Sequence, residues 1–506
     1  MEKYLLDYNW TVMAPELIIA GAAALLSIID LLMKEKQDKR VLASLGFVAV
    51  LGALYFTVSR FGQQPYEILG DTYRIDDFGL VFKTLLLTGT ALVLAVSLQE
   101  AKRKEITAQG EYYYLLLTAL LGGMILTSSA DLITLFVGLE LLSISSYILA
   151  GIRKRRTDSN EAAWKYVVLG GVSSAFILYG MSFVYGLAGT TNLYTAQERM
   201  AEAMGNGMES FVYLSLFLML FGFGFKVASA PFHMWVPDVY QGAPTPVTTF
   251  LAVVSKTAAF ALMIRVILGG YLFLFNSRTA EGLELLTTAL LVLAGLSMVI
   301  GNTVALRQFN NKRLMAYSSI AHAGYTLVPL ATLGPMLFES TVYYLTAYLL
   351  MTLGAFTVIG IVERNAGTGD ISAFAGLSRR SPLTAAAMTI FLISLSGIPV
   401  TAGFFGKFYI LINAVATQHF WIAAIMLATT VVSYFYYFGI VRMMYFRPPV
   451  LEGKVKVPPA SALVIAVAMI GTVVLGITPQ WALEQLGEVN WAAALSPLNG
   501  GAPPAQ

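Results

Sequence analysis

The sequence predicts an all-α polytopic membrane protein of about fourteen transmembrane helices. Only 12% of its 506 residues are charged, where a soluble protein of this size has about 25%. Apolar runs of about 20 residues, long enough to cross a bilayer, recur along the whole length, and mean hydropathy is +0.71. The runs are continuous, without the polar–apolar alternation of a membrane β-barrel.

The opening residues, MEKYLLDYNW, lack a basic stretch before a short apolar core, so the first segment is expected to be retained as a helix rather than cleaved. The spans then run 13–33, 41–60, 78–98, 112–129, 132–151, 163–188, 210–240 with an interruption, 248–271, 283–304, 313–332, 339–362, 384–415 with an interruption, 419–445 and 459–479. Loop charge supports this series. Alternate loops hold KEKQDKR (34–40), KRK (102–104), RKRR (153–156), Arg307 with Lys312 and Arg313, Arg364 with Arg379 and Arg380, and Arg442, Arg447, Lys454 and Lys456. The other face has only Lys3, Arg60, Arg74, Arg199 and Arg278. The positive-inside rule then places both termini outside the cytoplasm. The expected location is the bacterial plasma (inner) membrane, with the lipid bilayer as a partner. The net charge of +3 says little about partners, and no nucleic acid is expected. The chain has no cysteine, which excludes disulfides, iron–sulfur clusters and thiolate metal sites within it.

Six basic residues remain inside the spans: Lys83, Lys165, Lys226, Lys256, Arg265 and Lys407. Glu140 lies near the middle of the fifth span. Lys226 is deep in the seventh, Lys256 a third of the way into the eighth, and Lys407 just after the second interruption. Each ionised group near the bilayer centre costs roughly 2.5–3.5 kcal/mol, so these four cost roughly 10–14 kcal/mol before pairing. They must face the bundle interior, pair or line water. The plain alternative is a set of ion pairs that lock helices. Three lysines cannot all be neutralised by one glutamate, however, and a lysine that is charged or neutral by turns is a proton carrier. His322, mid-helix among small residues and tyrosines, is a candidate relay. Lys165 lies within about a turn of the cytoplasmic end and can snorkel there. Lys83 and Arg265 are expected to snorkel or contact a neighbour. His233 sits beside the first break.

Pro231 has no N–H and its ring clashes with the carbonyl four residues back, so carbonyls near 227–230 should lose their partners. Gly397 and Pro399 make the second break. Interrupted helices with polar groups near mid-membrane point to an ion site. The spans also group as two sets of five, the fourth to eighth and the ninth to thirteenth. Each has an interrupted fourth member with a lysine, Lys226 or Lys407, and a second member with Glu140 or His322. An odd number of crossings per set inverts one against the other. The expected organisation is accessory helices in 1–110, repeats in 111–271 and 272–447, and a last helix and tail in 448–506.

The stretches LFVGLELLSISSYILAG, KVASAPFHMWVPDVYQGAPTPVTTFLAVVSKTAAF, RLMAYSSIAHAGY and SGIPVTAGFFGKFYI resemble the antiporter-like subunits of respiratory complex I, the proton-pumping NADH:quinone oxidoreductase. The resemblance covers about residues 10–480, and the third stretch recurs in Mrp-type cation/proton antiporters. It implies that Glu140 is the family's essential glutamate and that Lys165, Lys226 and Lys256 are its membrane lysines. It makes Lys407 the exit lysine, whereas one sister subunit carries glutamate there. A second sister, with lysine, continues into a long lateral helix, for which the roughly 27 residues after the last span are too few.

There is no P-loop, and Gly222-x-Gly224 is not a dinucleotide fingerprint because Val227 stands in place of the third glycine. No cofactor is expected in this chain. The resemblance places FMN, iron–sulfur clusters and quinone on other subunits, and implies subunit M and the small subunits J and K as neighbours. The expected activity is proton translocation as part of an NADH:quinone oxidoreductase, with no redox chemistry in this chain. The rivals are an Mrp-type antiporter and a purely structural membrane subunit. Protons would pass from a switchable Glu140–Lys226 pair through Lys256 and His322 to Lys407. Lys226 precedes its break, near the negative end of a half-helix. Lys407 follows its break, nearer a positive end that favours release.

Overall fold

The computed structural model describes residues 8–34, 37–98, 106, 108–271, 280–450 and 453–494. Lys3, Lys36, the run at 102–104 and Arg278, used above in the charge pattern, lie outside the described residues.

The chain is a helical bundle. Helices α1 (Ala14–Leu32), α2 (Arg40–Val58), α3 (Asp77–Ser97), α4 (Gln109–Ser128), α5 (Leu132–Ala150) and α6 (Thr157–Ala188) come first. A short α7 (Leu193–Gly205) leads into α8 (Glu209–Lys226) and α9 (Val236–Gly242), the two halves of the first interrupted helix. Then come α10 (Thr245–Tyr271), α11 (Ala280–Ala305), α12 (Asn311–Thr332) and α13 (Leu337–Ala366). The second interrupted helix is α14 (Pro382–Ser396) and α15 (Ala402–Ala416), followed by α16 (Phe420–Phe446), α17 (Pro459–Ile477) and α18 (Pro479–Gly487).

Among the described residues, eleven helices are long and apolar enough to cross a membrane, and α14 and α15 are shorter apolar ones. Length and hydropathy alone pick out eleven spans, and the expected count of fourteen is not confirmed by them. Helices α4 and α12 occupy expected spans but fall outside that group. The first opens with Glu111 and three tyrosines, and the second carries Lys312, Arg313, two serines and His322. One feature departs from an all-helical chain: a hairpin, β1 (Tyr66–Ile68) and β2 (Tyr73–Ile75), pairs Glu67 with Arg74 before α3.

Burial sorts the helices. The most apolar window of α10 is 94% buried and that of α13 is 89% buried, against 33% for α1, α2, α16 and α17. A helix enclosed on all sides is central, so α10 and α13, with α12, which is buried along nearly its whole length, form the centre, and α1, α2, α16 and α17 lie outside with one face outward. A π-helical turn, Leu251–Ser255, interrupts α10 immediately before Lys256. Such bulges recur at functional positions.

Both interruptions are real, but the first begins earlier than Pro231 requires. Helix α8 stops at Lys226 because Ala228 turns left-handed (φ 64°). With the helix ended at Lys226, the carbonyls near 227–230 have no helical partners, and three carbonyls in the last turn of α8, those of Gly222, Gly224 and Phe225, take donors outside the helical pattern. They accept from Ser173 Oγ (3.0 Å), Ser229 N (2.8 Å) and Trp235 Nε1 (3.1 Å). Ala230 N donates to Ser297 Oγ on α11 (2.8 Å). Pro231, after a cis peptide bond, lies in the connecting segment. The second break turns on Gly397 (φ 82°) and Val400 (φ 72°), with Pro399 between them. Protein groups replace the lost helical bonds at both places, as non-helical backbone inside a membrane demands. At the second break Gly403 N donates to Ser394 Oγ (3.0 Å). A Cβ on Gly403 would collide with the Ser394 carbonyl. Gly403→Ala should destabilise the protein by about 1–3 kcal/mol, read as a lower melting temperature in detergent.

Two backbone clips repeat in the chain. Asp131, the N-cap of α5, bridges Asn192, with Leu132 N donating to Thr191 O (2.9 Å) and Leu193 N to Ala130 O (2.8 Å). Asn310, the N-cap of α12, bridges Asp370, with Asn311 N donating to Gly369 O (2.8 Å) and Ile371 N to Phe309 O (2.8 Å). Each clip ties the start of one helix to the chain leaving the next.

Candidate functional site

The site is built from the ends of broken helices and from the central pair α10 and α13. Lys226 ends α8, and its ammonium donates to Ser143 Oγ on α5 (2.7 Å). It also lies 5.9 Å from the Tyr147 ring centre. Glu140 is one turn before Ser143, yet no ion pair within 4.0 Å joins it to Lys226, and its Oε1 has no hydrogen-bond partner. The expected Glu140–Lys226 pair is open here. Glu140 falls on the same helical stripe as Ile133, Val137, Ile144 and Ile148, which are exposed. It is half-buried at the edge of the bundle.

Lys256 follows the π turn and is 3% exposed. Its ammonium donates to the Ser319 carbonyl of α12 (2.7 Å) and to the Ser319 hydroxyl. Tyr348 of α13 donates to the same hydroxyl (2.9 Å), and Tyr240 of α9 lies 3.3 Å from it. One turn further along α12, His322 shares hydrogen bonds with Tyr344 (Nδ1, 2.5 Å) and Tyr437 (Nε2, 3.2 Å). Its ring centre is 5.1 Å from that of Tyr348. The Tyr437 hydroxyl bonds Ser318. Lysine, serine, tyrosine and histidine thus form a polar column through the most buried part of the protein.

Lys407 overturns the dipole argument. It follows its break, but its side chain reaches back to the carbonyls of Leu395 (2.9 Å) and Ser396 (3.3 Å). These are the last carbonyls of α14, so the ammonium sits at a negative helix end. Its charge also lies 4.8 Å from the Tyr325 ring centre. The Tyr325 hydroxyl is held by Thr429 (3.0 Å), Thr430 (3.4 Å) and Asn302 (3.4 Å). A cavity of about 130 Å³ touches Lys407, Gly397, Thr430 and Tyr434, which is room for several waters.

Other expected residues lie elsewhere. Lys165 is half-exposed and bonds Glu161 (2.6 Å) and Asp238 (2.6 Å). Asp238 also takes Arg313 (2.5 Å), so α6, α9 and α12 meet at this carboxylate. Asp238→Asn should lower stability by about 1 kcal/mol, as partly exposed ion pairs do; chemical denaturation of the purified protein checks it. His233 is half-buried in the first break, its Nδ1 without a partner. Lys83 and Arg265 do not snorkel. Lys83 pairs with Glu16 (2.5 Å) and donates to Tyr73 (2.8 Å). Arg265 holds Asp76 through two nitrogens (2.8 Å each), with Thr127 O at 2.7 Å. Arg74 joins Glu67 (2.9 Å) and Asp76 (3.2 Å). These are buried locks away from the polar column.

Sequence reasoning missed Ser319, Asp238 and the tyrosines. A usable signal existed for two: Tyr344 and Tyr348 are four apart in VYYLTAYLL, and so share a helix face.

A family model described as "NADH:quinone oxidoreductase/Mrp antiporter, TM" matches residues 129–433. A Brevibacillus brevis protein named NADH-quinone oxidoreductase subunit N is 49% identical over 482 residues, 94% of each chain. A chain of respiratory complex I from Thermus thermophilus superposes with a TM-score of 0.77 at 32% identity, covering 93% of this chain and 98% of that one. A chain of the Mrp complex from Dietzia superposes at 0.80 with 19% identity, covering 96% of each, a likeness of fold alone.

Proposed function

This chain belongs to the NADH:quinone oxidoreductase/Mrp antiporter transmembrane family, and from that premise we propose that it works as subunit N of an NADH:quinone oxidoreductase, complex I. It is a proton-translocating membrane subunit of an enzyme assembled from several subunits. The observation that carries the reading is the buried column from Lys256 through Ser319, Tyr348 and His322, with Lys226 before it and Lys407 beyond. Such groups in a membrane interior mark ion pathways.

The roles follow from geometry and chemistry. Glu140, open to the bundle edge, approaches Lys226 when the pair closes and holds its proton. When the pair opens, Lys226 is left on a serine hydroxyl and loses that counter-charge. The proton moves on to Lys256, past His322, and reaches Lys407 at its hydratable cavity for release outside. Lys165 keeps α6 joined to α9 through Asp238 and acts on the pathway indirectly. Moving one charge against about 150 mV costs roughly 3.5 kcal/mol.

The segments 111–271 and 272–447 are read as inverted repeats, and the matching clips at Asp131/Asn192 and Asn310/Asp370 support this. Residues 1–110 are the accessory layer, and 448–506 the last helix and tail. Redox chemistry, with FMN, iron–sulfur clusters and quinone, lies on other subunits. Subunits M, J and K are the proposed neighbours, and the outward stripe of α5 around Glu140 is one surface for them. Both termini face away from the cytoplasm of a bacterial inner membrane.

The test is the number of protons moved per NADH oxidised by the purified complex in proteoliposomes. Lys407→Ala should lower that ratio. A ratio equal to wild type would overturn the pathway.

A further inference from the structure

The two backbone clips set a register between the halves of the chain. Counting from the caps Asp131 and Asn310, Glu140 and Ser319 each stand nine residues in, and Ser143 and His322 each stand twelve in. The partner of Glu140 is therefore not His322, as the order of spans implied, but Ser319. Where the first half carries a carboxylate, the second half carries a neutral hydroxyl.

Ser319 is 1% exposed, and its hydroxyl is the meeting point of three other helices. Lys256 of α10 donates to it, Tyr348 of α13 donates to it, and Tyr240 of α9 lies beside it. The remaining titratable group at this point is His322 of α12, whose ring packs on Tyr348.

We propose that Ser319 is a positioning residue for proton transfer, holding Lys256 in both its charged and its neutral state. The proposal rests on the pathway reading above. The reason is the hydrogen-bond inventory. A serine hydroxyl has acceptor lone pairs for an ammonium and one hydrogen to donate to the lone pair of a neutral amine. A carboxylate at the same place could only accept, and its charge would hold the proton on Lys256. When Lys256 gives up its proton it becomes the neutral amine. Ser319 then turns its hydrogen toward the nitrogen and stays unchanged in composition. The halves thus differ in kind: Glu140 gathers a proton at the first lysine, and Ser319 lets it leave the second.

The experiment uses the intact purified complex in proteoliposomes, with NADH oxidation and proton uptake measured together. Rates are normalised to electron transfer from NADH to a soluble acceptor, so that only assembled enzyme is counted. Ser319→Ala should lower coupled turnover about fivefold, the size of the one side-chain hydrogen bond lost to Lys256. Ser319→Thr, which keeps the hydroxyl, should remain within about twofold of wild type, and Ser319→Asp should fall to the level of Lys256→Ala, since a buried ammonium–carboxylate bond is about twice as strong as a neutral one. Loss in the alanine variant with rescue by threonine supports the proposal, because a merely packed serine gives no such rescue. Equal losses in alanine and threonine, or wild-type turnover in the aspartate variant, overturn it. If Lys256→Ala itself turns over and pumps like wild type, the pathway reading fails. If Lys256→Ala fails and Ser319→Ala does not, this inference alone fails.

Discussion

Lys226→Arg is expected to stop proton translocation as completely as Lys226→Ala. Arginine keeps the positive charge at the end of α8 and can still hydrogen-bond Ser143, but its guanidinium does not give up a proton inside a protein. If Lys226 were only a fixed counter-charge for Glu140, arginine would serve nearly as well as lysine. If Lys226 is a carrier, arginine arrests the cycle with the structure intact. The open geometry favours the second outcome. The ammonium lies on a neutral hydroxyl at 2.7 Å, and Glu140 Oε1 is unpartnered. A locked pair would show neither. Coupled NADH oxidation should fall at least about tenfold in both variants, equivalent to about 1.4 kcal/mol of barrier. Proton uptake by proteoliposomes checks it. Wild-type pumping by Lys226→Arg would remove Lys226 from the pathway.

Asp76→Ala should be the most destabilising single change outside the pathway. Asp76 takes two nitrogens of Arg265 at 2.8 Å, approaches Arg74 at 3.2 Å, and caps α3 through Gly79 N at 2.7 Å. The Asp76, Arg74 and Arg265 side chains are fully buried. Removing the acid takes the carboxylate from the Arg265 guanidinium, while Arg74 keeps Glu67. Breaking a buried pair from one side costs about 3–5 kcal/mol, and losing the cap adds about 1 kcal/mol. The melting temperature of the detergent-solubilised complex should drop sharply, or assembly should fail. The double variant Asp76→Leu with Arg265→Met should recover much of the loss, because replacing both partners removes the stranded charge at Arg265. A double variant as unstable as Asp76→Ala would show that the cluster is not an electrostatic lock.

Lys83 and Arg265 show where reading charges along the chain reaches its limit. From sequence they are expected to snorkel or contact a neighbour, but which neighbour is not legible. What separates them from Lys226 and Lys256 is whether an acid from a distant segment arrives beside them. Glu16 reaches Lys83 and Asp76 reaches Arg265, so both are neutralised. Lys256 meets Ser319 instead, whose hydroxyl also bonds two tyrosines. Lys407 is a similar case. Its place after the break was legible, but the direction of its side chain was not, and that direction reversed the expected dipole contact. Pro231 correctly marked an interruption, while the left-handed Ala228 decided where α8 stops.

The sequence by itself determined the membrane class, the approximate spans, the two interruptions and the set of cations that must avoid lipid. Those follow from local quantities, namely hydropathy over about 20 residues, the missing N–H of proline and the price of an unpaired charge in hydrocarbon. Only the tertiary structure decided which of those cations are locked in ion pairs and which are held by hydroxyls. It also showed the two backbone clips from which Ser319, rather than His322, stands as many residues in as Glu140 does. Those outcomes depend on contacts between residues far apart in the chain, and no local pattern encodes which helix face a partner will occupy.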